Sequence, residues 1–142
     1  MIKQNIVFIE NKAGSLQKVT GLLKEAGIDI YGFACFDAPE FAIFRMICDN
    51  PDKAEMVLNQ SGYMNRITQA IVVDMKDQVG GLDELLKVAA DSNVSLDYIY
   101  TSFHRKDLRP VVILQAEDGA VTECILKNNG FNVFTSAEEL EK

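Results

Sequence analysis

The sequence predicts an α+β fold in which one βαββαβ unit is written twice. Three observations carry this expectation. Runs of β-branched and aromatic residues alternate with helical apolar stripes along the whole chain. At one constant offset Gly14 falls on Gly80 and Leu16 on Leu82. Each of these glycine loops separates a strand pattern from a helix pattern. The first domain is expected over residues 1–69 and the second over residues 70–142, with almost no linker near Gln69.

The units open on Ile6-Val7-Phe8-Ile9 and Ile71-Val72-Val73-Asp74-Met75, both of strand composition. After the loops, Leu16, Val19, Leu23 and Ala26 form one helical stripe, and Leu82, Leu85, Leu86 and Ala89 form the other. Gly27 and Asn93 close these helices, being the residue types that best accept a left-handed C-terminal position. The period then changes to two. Ile28 and Ile30, like Val94 and Leu96, start strands that continue through the aromatic stretches 33–36 and 98–103.

Turns at 37–40 and 105–108 lead to return strands over 41–48 and 111–116. Asn50-Pro51 reads as N-cap and first helical residue, and Asp118 as the matching cap. These second helices end at Gly62 and Gly130, and short strands over 63–68 and 131–135 complete the units. Residues 138–142 read as a solvated tail. The order is the ferredoxin-like plan, a four-stranded antiparallel sheet with two helices on one face. Such a plan hosts many unrelated functions, so the fold decides none of them.

Composition narrows the classes. Of 142 residues 48% are hydrophobic and 25% charged, an ordinary globular balance. Units of half this length have modest cores and are expected to lean on each other or on a second chain. The formal charge of −7, from 21 acidic and 14 basic residues, argues against nucleic acid as a partner, which requires clustered Lys and Arg. No apolar run approaches the ~18 residues of a membrane span, and the start of the chain carries no signal-peptide pattern. The cytoplasm is the expected location. Three cysteines are too few and too scattered for a disulfide framework or a zinc site, and Cys35 and Cys48 read as small buried thiols.

The stretch Asn11-Lys12-Ala13-Gly14-Ser15-Leu16, followed by a helix and then Gly27-Ile28-Asp29-Ile30, resembles the ACT domain family. That family carries Asn/Asp-x-Pro-Gly-x-Leu ahead of a helix ending in Gly-(Ile/Val)-(Asn/Asp)-Ile. A looser version recurs in Asp77-Gln78-Val79-Gly80-Gly81-Leu82 and Asn93-Val94-Ser95-Leu96. The family's common proline is replaced by Ala13 and Val79. The resemblance implies a non-catalytic sensor of a free amino acid, bound at this loop and at a seam between domains or subunits. Carried over residue by residue, it implies contacts from Asn11, Ala13, Gly14, Ser15, Leu16 and Asp29 in the first unit. In the second it implies Asp77, Val79, Gly80, Gly81, Leu82 and Ser95.

Physical chemistry gives these residue types separate jobs. Gly14 allows a sharp turn and close approach of a ligand. The helix start beyond it offers unbonded amides and a positive dipole end to a carboxylate, here the backbone of residues 14–16. Asn11 and Asp29 are acceptors suited to an ammonium, and Ser95 in place of Asp29 makes the first unit the better site. An acceptor-rich, acidic site leans towards a polar or basic effector such as histidine, lysine or serine. The plainer readings are turn glycines at Gly14 and Gly80, loop-bonding side chains at Asn11 and Asp77, core leucines at Leu16 and Leu82, and a helix cap at Ser15.

No catalytic, metal or cofactor site is expected. His104 is the single histidine, beside Arg105 and Lys106 at a turn, and reads as solvated. Acylphosphatase-like hydrolysis needs an arginine in a phosphate-cradling loop, and the loops here offer only Lys12. An RNA reader of this strand order needs exposed aromatics with basic flanks. Phe33, Phe36, Phe41 and Phe44 instead accompany Asp37 and Glu40. The remaining rival is a pair that docks on a metabolic enzyme in trans without its own ligand. Exposed edge strands and helix faces make a homodimer the expected assembly.

Overall fold

In the computed structural model, which describes residues 1–142, the order is β1 (Ile2–Glu10), α1 (Ser15–Glu25), β2 (Ile30–Asp37), β3 (Phe41–Cys48), α2 (Pro51–Gln60), β4 (Asn65–Asp74), α3 (Gly81–Asp91), β5 (Leu96–Phe103), β6 (Pro110–Ala116) and α4 (Gly119–Asn128). The chain divides into two units, Lys3–Thr68 and Gln69–Lys142, the latter joined by Met1 and Ile2.

All four helices end in one motif. Ile28 N–H reaches back to the Leu23 carbonyl and Gly27 N–H to Lys24; the same pair of bonds is made by Tyr63 and Gly62, by Val94 and Asn93, and by Phe131 and Gly130. Gly27, Gly62, Asn93 and Gly130 all take positive φ, as this closure requires. The residue after each is apolar, and the carbonyl it bonds belongs to a buried Leu23, Leu58, Ala89 or Leu126. Cap and core are therefore one device. At the opposite ends, the Asn50 side chain accepts from Lys53 N–H at 3.1 Å and Asp118 from Val121 N–H at 3.0 Å.

In the first unit β3 lies between β2 and β1, antiparallel to both. Val7 stands opposite Phe44 and Ile9 opposite Ala42. These side chains meet Val19 and Leu23 of α1 and Ala54 and Leu58 of α2 in one core. Each fully buried residue of this size contributes about 2 kcal/mol relative to exposure. In the second unit β6 lies between β4 and β5. Its core joins Ile71, Val73, Val112 and Leu114 to Leu85 and Leu126. A register shift recurs at the matching point of each edge ladder, between Ile30 and Gly32 and between Leu96 and Tyr98. The repeat therefore extends to a β-bulge.

Three expectations need correction. Residues 63–68 and 71–75 do not form two strands: β4 runs from Asn65 to Asp74, and the division at Gln69 falls inside it. No glycine, proline or turn residue at Gln69-Ala70 interrupts it. The strand expected over 131–135 shrinks to a bridge of Val133 with Val73, flanked by Asp74 N–H to Asn132 and Phe134 N–H to Val72. The tail is solvated only in part: Glu138, Glu141 and Lys142 are exposed, and Leu140 is not. Ala137–Leu140 is a 3-10 helix started by a reciprocal Ser136–Glu139 capping box, and Leu140 is fully buried. No helix is long and apolar enough to cross a membrane.

Candidate ligand site

The two glycine loops are built alike, bond for bond. Lys12 N–H meets the Glu10 carbonyl, Ser15 N–H the Lys12 carbonyl and Lys18 N–H the Gly14 carbonyl; Gln78, Gly81 and Glu84 repeat these with Lys76, Gln78 and Gly80. Gly14 and Gly80 sit at φ +82° and +85°, where an L side chain is strained. They are the N-caps of α1 and α3, and neither helix start is capped by a side chain. Ser15 is thus the first helical residue rather than the cap; its own amide is taken by the Lys12 carbonyl, and the amides of Leu16 and Gln17 are the ones left for a ligand.

The loops differ in what surrounds them. Beside the first lies a cavity of about 540 Å³, lined by Gly14, Leu16, Gln17, Thr20, Ile30 and Phe33, with Lys12 at its edge and Phe44 behind. The Phe33 ring is 60% exposed and tilts against Phe44 at 6.0 Å between centroids. Lys12 pairs with Glu10 at 2.6 Å, which holds the Lys12 ammonium above its usual range and the Glu10 carboxyl below its own. No acidic residue occupies the first turn of α1, whereas Asp83 and Glu84 occupy that of α3. The first helix start is therefore the less acidic of the two, although Glu84 at the second is paired with Lys76 at 2.7 Å.

Of the first-unit residues singled out from sequence, only Gly14 and Leu16 line this cavity. Asn11 donates its side-chain amide to the Ala38 carbonyl at 3.1 Å. Ala13 is exposed, and Ser15 is buried beside a separate cleft that includes Ile9, Tyr63 and Met64. Asp29 lies by another depression with Gly27 and Ile28, and its N–H donates to the Asp49 carboxylate at 3.0 Å. Asn11 and Asp29 are not brought together around the cavity. Carbon dominates the walls of this cavity, and Asp29 borders the adjoining depression, which shares Thr20 and Ile30 with it.

In the second unit Val79 is fully exposed, Leu82 is 44% exposed and Ser95 is exposed. Gly81 packs so closely that an added Cβ would stand 2.1 Å from the Lys76 carbonyl oxygen. Asp77 alone reaches a cavity, a polar one of about 380 Å³ with Asp74, Lys76, Glu84, Arg109 and Asn132. The strand registers place Ile99 where the first unit has Phe33 and Val112 where it has Phe44. The aromatic wall therefore belongs to the first unit alone.

Sequence reading missed Gln17, Thr20, Ile30 and Phe33 as cavity residues. The first two follow Leu16 on the flank of α1, and their signal is their place on that helix face. Ile30 and Phe33 become neighbours of α1 only through the bulge in β2. His104 also departs from expectation: it is 4% exposed, with Nε2 at 2.8 Å from Asp74 and its ring edge-on to Phe134. Cys48 is buried, and burial pushes its thiol up to about 11, while Cys35 is half-buried and raised for the same reason.

The family described as ACT domain pair matches residues 1–141. The chain belongs to that family. Among solved structures, this ACT domain pair is similar to protein BT0572 from Bacteroides thetaiotaomicron at 25% identity, covering 99% of this chain and 96% of that one with a TM-score of 0.88. It shares its fold with the regulatory subunit of aspartate kinase from Thermus thermophilus, in a ligand-free form, at 17% identity, 90% and 91% coverage and a TM-score of 0.63. The corresponding subunit from Thermus flavus gives 17% identity, 89% and 91% coverage and a TM-score of 0.60. No curated protein matches the chain.

Proposed function

We propose that this ACT domain pair is a non-catalytic sensor that binds one free amino acid in the first-unit cavity. The observation that carries the reading is the coincidence of the cavity with the family's glycine loop and an uncapped helix start. The ligand carboxylate faces the opening amides of α1, where the dipole end is positive and no acidic side chain competes. The side-chain oxygens of Gln17 and Thr20 take the ammonium, the role expected of Asn11 and Asp29. The second loop acts as a structural copy.

Binding would favour one arrangement of the pair over another, and differential affinity would pass that preference to a partner. That partner is a second copy, a metabolic enzyme regulated in trans, or both. Two structures of this fold are regulatory subunits of aspartate kinase, which supports a regulatory role without naming the effector.

A second reading is a docking subunit without its own ligand. It is favoured by Phe8, Phe36 and Phe41, which the registers place on the sheet face away from the helices. Phe36 is 52% exposed, and Phe8 and Phe41 meet edge to face at 5.5 Å.

A thermal-shift screen against the twenty amino acids at millimolar concentration separates the two. A binder present at about 100 times its dissociation constant adds about 2.7 kcal/mol of stability. One or a few clear hits are expected. Silence across the panel overturns the sensor reading in favour of docking.

A further inference from the structure

We infer that the effector carries a large apolar side chain, aromatic or branched aliphatic, rather than a polar or basic one. The inference rests on the sensor reading above and adds the chemical class of ligand. It comes from the composition of the cavity walls. Leu16, Ile30, Phe33 and Phe44 present carbon from three elements, α1, β2 with its bulge, and β3. The polar groups, Gly14 backbone, Gln17, Thr20 and Lys12, belong to the loop and the first turns of α1. Polarity is thus gathered at the end where the common part of every amino acid is held.

Charge supports the same division. No carboxylate lines the cavity. Glu10, the acidic partner of Lys12, is committed to that pair, and Asp29 belongs to the adjoining depression rather than to the cavity lining. A lysine, arginine or histidine side chain would give up part of its hydration against these carbon walls and meet no carboxylate among them, which disfavours it. A serine or aspartate side chain would leave the Phe33 ring wet. A phenylalanine or leucine side chain would cover Phe33, a large apolar residue left more than half exposed beside a concave surface. Against the tilted Phe33–Phe44 pair, an aromatic ligand gains edge-to-face contact in addition to burial.

Isothermal titration of the full chain with L-phenylalanine, L-leucine and L-methionine, and separately with L-lysine, L-histidine, L-serine and L-aspartate, tests this. Saturable binding confined to the first group, at least about tenfold tighter than any member of the second, is expected. Phe33→Ser changes an exposed edge-strand residue, so the fold is retained. It should weaken the best apolar ligand by about tenfold or more. Binding of the polar group alone, or equal binding of both, overturns the apolar class while leaving the site reading intact. Unchanged affinity in Phe33→Ser removes the cavity from the account. Binding of neither group to the chain overturns the sensor reading itself, and the inference falls with it.

Discussion

His104 Nε2 lies 2.8 Å from Asp74 Oδ1, joining the end of β5 to the end of β4. The other Asp74 oxygen accepts from Asn132 at 2.7 Å and from Arg109 at 3.4 Å. One carboxylate thus ties together the last strand-like segment, the β5–β6 turn and the start of the second glycine loop. The imidazole is buried edge-on to Phe134. Replacing His104 by Ala leaves a cavity and removes one partner of Asp74, for an expected loss of about 2–3 kcal/mol. Urea unfolding checks it, and a loss below about 0.5 kcal/mol, the level of a surface change, contradicts the burial.

Glu139 predicts an acid dependence. Its Oε1 accepts from the Thr135 hydroxyl at 2.7 Å, Thr135 N–H at 2.9 Å and Ser136 N–H at 3.1 Å. The Thr135 hydroxyl bond, foremost, lowers its pKa below the ordinary carboxylate value. A depressed folded value gives stability that is present above the unfolded pKa and lost as pH falls through the folded one. Glu139→Gln should therefore be less stable than the parent near pH 7 and should narrow that gap near pH 3. A gap that stays constant between the two conditions would show that the charge of Glu139 is not coupled to folding.

Gly14 and Gly81 separate strain from overlap. An alanine at Gly14 meets nothing within 4 Å but must hold φ +82°, at a cost of about 1–2 kcal/mol. An alanine at Gly81 would put Cβ at 2.1 Å from the Lys76 carbonyl oxygen. The loop must open, at a cost of about 3 kcal/mol. Thermal unfolding should therefore rank Gly81→Ala well below Gly14→Ala, and the reverse order would contradict the second loop's geometry.

Site variants divide by whether they touch the cavity. Asn11 bonds the Ala38 carbonyl outside it, so Asn11→Ala should leave affinity for the effector unchanged. Thr20 lines it, so Thr20→Lys sets a second ammonium against the ligand's own. That change should weaken binding by about tenfold or more, at a stability change within about 0.5 kcal/mol. Calorimetric titration of both variants measures the contrast.

Local rules were legible in the sequence and distant partners were not. The caps at Asn50 and Asp118, and the closures at Gly27, Gly62, Asn93 and Gly130, depend on residues within one turn of each other, and they stand where the composition placed them. The burial of His104 depends on Asp74 and Phe134, each about thirty residues away, and nothing in its neighbours Arg105 and Lys106 announces it. Leu140 was lost for the same reason, since four acidic or basic residues around it imitate a solvated tail. The glycine loop was legible as a motif. Its cavity was not, because Phe33 and Ile30 face α1 only after the β2 bulge sets the register.

The most direct test of the central claim is amide chemical-shift mapping of the full chain during titration with the best amino acid. The account predicts saturable shifts centred on Gly14, Leu16, Gln17 and Phe33, with Gly80, Gly81 and Leu82 unmoved. Shifts centred on the second loop, or none at either loop under saturating ligand, would contradict it.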